Sequence, residues 1–364
     1  MIVNMAVRVV CQKVLSVSKP ASCRILIPSL SVLCKDRKTY STKPASLVGR
    51  DFLTLRNYSK DEIGTLLWTA KDLKTRIKDK KEIFQPLIGK TISLIFQKRS
   101  TRTRLSSEIG MSLLGGKACF LSPDDVHIGV NESLRDTAKV LSGFNDLVLA
   151  RVFGQSDLET LAAEGTVPVI SGLSDLYHPL QALADLLTLQ EHFGRLEGLN
   201  IAWVGDGNNI IHSLMMGGMP LGVHFRVATP KGYECDANVL RDAHNYKHQF
   251  GVDLKFTNDP TEAVKDADVI VTDTWVSMGQ EEEKKKRLND FKGYQVDLNM
   301  VKSAAPSWVF LHCLPRKPEE VTDDVFYANN SLVWQEAENR MWTVMSVILH
   351  LLQDHTPSIP KPKF

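Results

Sequence analysis

The sequence predicts an α/β protein of two domains, each with a mainly parallel sheet flanked by helices. Three observations carry this reading. Apolar runs, mostly of four to seven residues, recur along the chain; amphipathic stretches of helix length separate most of them; and no internal repeat or low-complexity tract interrupts the alternation. At 364 residues and 43% hydrophobic, the chain is long enough for two cores of ordinary size.

The first segment stands apart. Up to Lys35 there is no Asp or Glu, while Arg8, Lys13, Lys19, Arg24 and Lys35 alternate with serines and short apolar stretches. That composition predicts a mitochondrial transit peptide over residues 1–42, a disordered tail being the plain alternative. Basic residues break each apolar run before it reaches the length of a secretory core or a membrane span. Residues 1–42 carry seven basic residues against Asp36, so the whole-chain charge of +2 becomes about −4 once they are removed. The overall basicity therefore gives no reason to expect a nucleic-acid partner. The six cysteines (Cys11, Cys23, Cys34, Cys119, Cys235 and Cys313) are too scattered for a disulfide framework, and no CxxC or Cys/His spacing predicts zinc.

Beyond Val48 the apolar runs predict strands at Thr91–Phe96, Leu147–Arg151, Val167–Ser171, Leu199–Val204, Val223–Ala228, Leu254–Phe256, Val269–Thr272 and Val309–His312. A long helix opened by Pro179 leads into the strand at Leu199, which puts the boundary between domains of residues 43–180 and 181–335. A final helix, Glu336–Gln353, has apolar residues at helical spacing and is expected to pack back on the first domain.

One stretch concentrates charge and hydroxyls. In "FQKRSTRTRLSSEIG", residues 96–110, a strand ends near Phe96, and Leu105, Ile109 and Leu113 predict a helix starting near Ser100 or Thr101. Ser100, Thr101, Arg102 and Thr103 then sit at a helix N-terminus. Unpaired N–H groups and the positive end of the helix dipole favour an anion there, and a forked guanidinium suits phosphate oxygens. Read alone, the stretch fits equally an ordinary capped helix with solvated arginines.

Further segments give it context. "STRTR", "LYHPLQALAD" (176–185), "WVGDGNN" (203–209), "DTWVSMGQE" (273–281) and "LHCLPR" (311–316) occur in an order that resembles the transcarbamylase family, from about Gly49 to the C-terminus. Within it the chain looks like the ornithine-using, mitochondrial animal type. The resemblance implies a carbamoyl-phosphate domain and an ornithine domain joined by two interdomain helices, a homotrimer with sites at subunit contacts, and a place in the mitochondrial matrix. It implies transfer of the carbamoyl group of carbamoyl phosphate to the δ-amine of ornithine, giving citrulline and phosphate for arginine metabolism and the urea cycle. No cofactor and no metal are expected.

The resemblance also implies site residues. Ser100, Thr101, Arg102 and Thr103, with Arg151 at the end of "LVLAR", would hold the phosphate. His178, Gln181, Arg340 and Thr103 would contact the carbamoyl group, whose developing oxyanion needs fixed donors. Leu314, beside Cys313 in "HCLP", belongs to the same subsite, and His127 would reach a neighbouring subunit's carbamoyl phosphate. Asn209, Asp273, Ser277 and Met278 match ornithine-binding positions, Asp273 taking the α-amine and Cys313 lying near the δ-amine. A Lys-like amine of pKa about 10.4 is neutral roughly once in a thousand molecules at pH near 7.4, so presenting it uncharged costs on the order of 4 kcal/mol. Desolvation and a nearby proton acceptor must offset that cost.

Three features depart from the family's pattern. Gln97 stands where Glu is usual; Gly217, Gly218 and Pro220 fall in an expected helix after Asn209; and Trp334-Gln335 replaces Phe-Pro. A catalytically impaired or non-catalytic homologue is therefore the alternative to carry. A dinucleotide-dependent dehydrogenase fails on "VGDGNN", because Ile210 stands where the third glycine is needed. The run "QEEEKKKRLND" reads as a solvated helix face with i,i+4 pairs, following a hinged loop that would close over substrate.

Overall fold

Residues 46–122, 132–276 and 281–364 are described by a computed structural model. The predicted transit segment and His127, Ser277 and Met278 lie outside the described residues. The strands are β1 (Thr91–Phe96), β2 (Lys117–Leu121), β3 (Leu147–Arg151), β4 (Val169–Leu173), β5 (Asn200–Val204), β6 (His224–Ala228), β7 (Leu254–Thr257), β8 (Val269–Thr272) and β9 (Val309–His312). The helices are α1 (Lys60–Leu73), α2 (Thr101–Leu113), α3 (Leu134–Phe144), α4 (Gln155–Glu164), α5 (Pro179–Phe193), α6 (Asn209–Gly218), α7 (Ala237–Phe250), α8 (Pro260–Val264), α9 (Lys284–Asp290), α10 (Leu298–Val301), α11 (Asp323–Phe326) and α12 (Val333–Leu352).

Two parallel sheets result, ordered β2-β1-β3-β4 and β7-β6-β5-β8-β9. Covering on both faces buries β3, β8 and even the terminal strand β9 fully, which is why they read as continuous apolar runs rather than alternating ones. The sequence analysis passes over β2: "KACFL" carries only the short apolar run Ala118–Leu121 and is an edge strand whose Lys117 and Cys119 are exposed.

The strand orders place the site. In the first sheet the chain steps outward from β1 to β2 and then returns to the other side of β1 as β3. The loops after β1 and β3 diverge there and leave a crevice at the strands' C-terminal ends. The second sheet reverses in the same way between β5 and β8.

Helix α5 is buried from Pro179 through Gln190, including the polar side chains of Gln181, Asp185, Thr188 and Gln190. It packs on α6 and α12, while α12 lies across α1, α2 and α5. Val344, Val347, Ile348 and Leu351 of α12 thereby share a core with Leu66, Leu67 and Leu73 of α1.

Some expectations change in the structure. Helix α2 begins at Thr101, but Leu105 and Ile109 are exposed and the buried face is Thr103, Ser106, Ser107, Gly110 and Met111. Small residues let α12 approach closely, a Cβ on Gly110 falling 2.8 Å from Met345 Cγ. Pro220 breaks no α-helix, because α6 stops at Gly218 and Pro220 is the second residue of a 3-10 turn, Met219–Leu221. Gly217 faces Leu55 and Leu186, and Gly218 faces Phe225, at distances where a Cβ would crowd them. The charged run is also more than a solvated face, since Arg287 is buried and bonds Asp206 Oδ2 at 3.0 Å and the Trp275 carbonyl at 3.1 Å.

Candidate active site

The two crevices open into one cavity of about 940 Å³. Ser100, Thr101, Arg102, Thr103, Arg151, His178, Gln181, Asn209, Asp273, Cys313, Leu314 and Arg340 all line it, alongside Lys98, Asn208 and Lys317, which the sequence did not single out.

The cationic end is built by β1, β3 and α2. Ser100 is the N-cap of α2 and its hydroxyl accepts the Thr103 N–H at 3.3 Å, which fixes the first helical turn. Arg151 pairs opposite Phe96 at the C-terminal end of β3, where the β3–β4 register slips between Ala150 and Arg151. A slip of this kind re-aims a side chain at a sheet edge. Burial, and then neighbouring Arg102, lower the Arg151 pKa to about 10. Its buried Nε has no hydrogen-bond partner. Arg102 reaches across to the Leu314 carbonyl, tying the α2 start to the loop after β9.

A second group lies on α5 and α12. Arg340 donates to Gln181 Oε1 at 2.7 Å and Thr103 Oγ1 at 3.1 Å, with Nη1 also 3.4 Å from His178 Nε2. Arginine only donates, so His178 Nε2 is the acceptor and Nδ1 carries the ring hydrogen. Burial first, then the cations of Arg340, Arg151 and Arg102, hold the His178 pKa well below the ordinary imidazole value, so the ring is neutral at physiological pH. Burial, then Arg151 and Arg102, bring the Arg340 pKa down to about 9. His178 Nδ1 and Arg340 Nε are both buried without partners. Orphaned buried donors are rare in native proteins. All three belong to residues that line the cavity, and it is their cationic and donor-rich side chains, with Arg102 and the start of α2, that suit an anionic, acceptor-rich molecule.

The opposite wall comes from the second sheet. Asp273 and Cys313 each follow the last residues of paired strands, Thr272 and His312 being register partners. Cys313 donates its thiol hydrogen to Asp273 Oδ1 at 2.7 Å, and Asn208 donates to Asp273 Oδ2 at 2.8 Å. Burial, followed by the Asp273 carboxylate, pushes the Cys313 thiol well above its usual range, so it is a thiol and not a thiolate. Asn209 turns away from Asp273 and donates to the Ser174 carbonyl at 2.6 Å. The polar neighbour of Asp273 is therefore Asn208, which the sequence left unassigned because two adjacent asparagines carry no signal as to which faces inward.

The second glycine of "VGDGNN" has a packing cause. A Cβ on Gly207 would lie 2.4 Å from the Cys235 nitrogen and 2.7 Å from the Tyr233 carbonyl oxygen, so only glycine lets these loops pass. Gln97 also has a local role: its Oε1 accepts the Phe153 N–H at 2.6 Å and its Nε2 faces Asp157 Oδ2 at 3.4 Å. It orients the loop after β3.

Asp273, His312 and Cys313 bring three ligand-type atoms within 4.8 Å of one another. Each is already engaged. The thiol bonds Asp273, His312 Nδ1 accepts the Leu314 N–H at 2.9 Å, and His312 Nε2 bonds Glu320 at 3.1 Å.

Comparison with known proteins is specific. Residues 50–191 match the family model for the aspartate/ornithine carbamoyltransferase carbamoyl-P binding domain, and residues 197–351 match the Asp/Orn binding domain model. The chain is 59% identical over 325 residues to the mitochondrial ornithine carbamoyltransferase of Aquarana catesbeiana, covering 89% of this chain and 93% of the relative. It is 58% identical to the mitochondrial ornithine transcarbamylase of Gallus gallus, covering 87% and 90%. The solved ornithine carbamoyltransferase of Pyrococcus furiosus superposes with a TM-score of 0.81 at 47% identity, over 84% of this chain and 97% of that one.

Proposed function

The chain belongs to the aspartate/ornithine carbamoyltransferase family, and from that premise we propose how its residues divide the reaction. The protein moves the carbamoyl group of carbamoyl phosphate onto the δ-amine of ornithine, giving citrulline and phosphate. One observation carries the assignment of roles: the cationic residues Arg151 and Arg340, neutral His178 and the Cys313–Asp273 pair line the same cavity.

The start of α2, with Ser100, Thr101, Arg102 and Thr103, holds the phosphate together with Arg151. Charge that develops on the leaving group meets fixed cations and backbone N–H groups that need no reorganisation. Arg340, neutral His178 and Thr103 surround the carbamoyl oxygen, while Gln181 Oε1 accepts from the carbamoyl nitrogen beside Leu314. Asp273 attracts the α-amine of ornithine, with Asn209 and, from the loop after β8, Ser277 and Met278 completing the subsite. Because the Cys313 S–H already points at Asp273, the sulfur offers its lone pairs to the δ-amine. The proton released by the attacking nitrogen passes toward Asp273 or onto the departing phosphate.

The working unit in this reading is a homotrimer in which His127 of one subunit completes a neighbour's site. Exposed Leu105 and Ile109, on the helix that carries Arg102, support a subunit contact there. The mitochondrial relatives and the acid-free first 35 residues support import to the mitochondrial matrix. Among the described residues no helix is long and apolar enough to cross a membrane. The non-catalytic alternative draws no support, since Gln97 and Gly217–Gly218 are accommodated by local packing.

The test uses residues 43–364 supplied with carbamoyl phosphate and either ornithine or aspartate. Ornithine-dependent citrulline and phosphate are expected in equal amounts. A folded protein that forms neither, or that prefers aspartate, defeats the assignment.

A further inference from the structure

Behind Gln181 lie two carboxyl groups that the reaction does not use. Asp185, one turn along α5, and Glu336, on α12, are 1% and 2% exposed. One side-chain amide serves both: Gln181 Nε2 donates to Asp185 Oδ1 at 2.8 Å and to Glu336 Oε1 at 2.8 Å. Glu336 Oε2 also accepts the backbone N–H of His312 at 2.9 Å. The two carboxyls lie within hydrogen-bonding reach of each other. No cation pairs with either, because the facing guanidinium of Arg340 is spent on Gln181, Thr103 and His178.

The other charged groups facing the pair deepen the problem. Asp273 and Cys313 look toward it from the ends of β8 and β9, and Asp273 adds negative charge; the His312 ring turns away to Glu320. Two buried carboxylates in contact, with no cation bonded to them, would repel at low effective dielectric. The hydrogen-bond pattern removes that conflict if one of them is an acid. Both oxygens of Glu336 are already acceptors, whereas Asp185 receives only the Gln181 N–H.

We propose that Asp185 and Glu336 share one proton, carried on Asp185, and that this pair positions Gln181 with its amide oxygen toward Arg340 and the substrate cavity. Both hydrogens of the Gln181 amide are then consumed behind it. A flipped amide would set its NH₂ against the Arg340 guanidinium and leave the carboxyls facing an oxygen. In the carbamoyl-transfer reading, on which this part rests, the second lone pair of Gln181 Oε1 meets a carbamoyl N–H. Asp185 and Glu336 are thus positioning residues that select an acyl group bearing NH₂. Burial raises the carboxyl pKa of both; their mutual contact lowers Asp185 and raises Glu336, so it is the two N–H groups already occupying both Glu336 oxygens that assign the hydrogen to Asp185.

Infrared spectroscopy of the intact protein tests the proton without turnover. At about pH 8, roughly four units above an ordinary carboxyl pKa, the carbonyl stretch of a protonated carboxyl should persist and should vanish in Asp185→Asn. The absence of that band in the unmodified protein overturns the shared proton while leaving the transfer activity standing. Calorimetric binding of carbamoyl phosphate tests the positioning. Asp185→Asn can donate to Glu336 as the acid does, and should restore most of the affinity that Asp185→Ala loses, a loss of about tenfold for one hydrogen bond. Glu336→Gln should bind as poorly as Asp185→Ala, because its NH₂ must face either the His312 N–H or the Gln181 NH₂. Equal weakening by Asp185→Asn and Asp185→Ala overturns the positioning role.

Discussion

Cys313 donates its thiol hydrogen to Asp273 across the ends of two paired strands at 2.7 Å, so the sulfur sits in the cavity as a neutral acceptor held in place by a carboxylate. In the proposed reaction, replacing Cys313 by Ala removes the acceptor assigned to the attacking amine while keeping the backbone assigned to carbamoyl phosphate. The rate constant kcat should fall by about a hundredfold. Carbamoyl phosphate affinity, measured by calorimetry, should change little; a large loss there would place the thiol in the other subsite.

Arg102 connects the α2 start to the Leu314 carbonyl and lines the cationic end of the cavity, which we propose holds the phosphate. Arg102→Ala should weaken carbamoyl phosphate binding by about ten- to a hundredfold, as expected for a charge-assisted contact of about 1.5–3 kcal/mol. Arg102→Lys should recover little, because a point charge cannot reproduce the fork. Full activity in Arg102→Ala would remove the phosphate assignment.

The acid sensitivity of the fold should come partly from His350, whose Nε2 lies 2.8 Å from Thr69 Oγ1. Burial, and then the nearby His355, lower its pKa to about 4. The unfolded chain therefore binds a proton below about pH 6.5 that the folded chain refuses, and stability falls as pH drops from there to about 4. The loss amounts to about 3 kcal/mol at most for this residue. His350→Gln should flatten the fall of denaturation midpoint between about pH 6.5 and 4. An unchanged slope would mean that the ring is already charged in the fold.

Gln97 bonds in two directions, its oxygen to Phe153 N–H and its nitrogen toward Asp157. Gln97→Glu keeps the first bond and sets a carboxylate against another. Chemical denaturation should show a loss of about 0.5–1 kcal/mol, and Asp157→Asn should restore it in the double variant. Stabilisation by Gln97→Glu alone would show that the local cations outweigh Asp157.

Gly207 is held by backbone and not by a movable side chain. Gly207→Ala must push the loop after β5 away from residues 233–235, carrying Asn208 off Asp273. The expected kinetic signature is a raised KM for ornithine with carbamoyl phosphate affinity largely kept. Loss confined to carbamoyl phosphate would contradict the division of the cavity.

Much of the fold is legible along the chain because buried parallel strands are contiguous. The runs at 91–96, 147–151, 269–272 and 309–312 coincide with β1, β3, β8 and β9, since both faces of each are covered and apolarity is local information. Strand β2 escaped because its signal is a set of hydrogen bonds to β1, and the buried face of α2 was misread because it is lined by Thr, Ser and Gly to admit α12.

By itself the sequence determined the chemistry on offer: a capped, cationic helix start after a buried strand, a His-Pro helix opening, a lone cysteine after an apolar run, and the order of these segments. Only the tertiary structure decided what each group does with its neighbours. It placed Asn208 rather than Asn209 on Asp273, made Cys313 a donor to that carboxylate, and left His178 neutral among three arginines. It also brought Asp185 and Glu336, 151 positions apart, onto one amide. The reason is physical: hydrogen-bond direction and protonation depend on distances of a few ångströms and on burial, and those are set by which helices cross, not by which residues are adjacent in the chain.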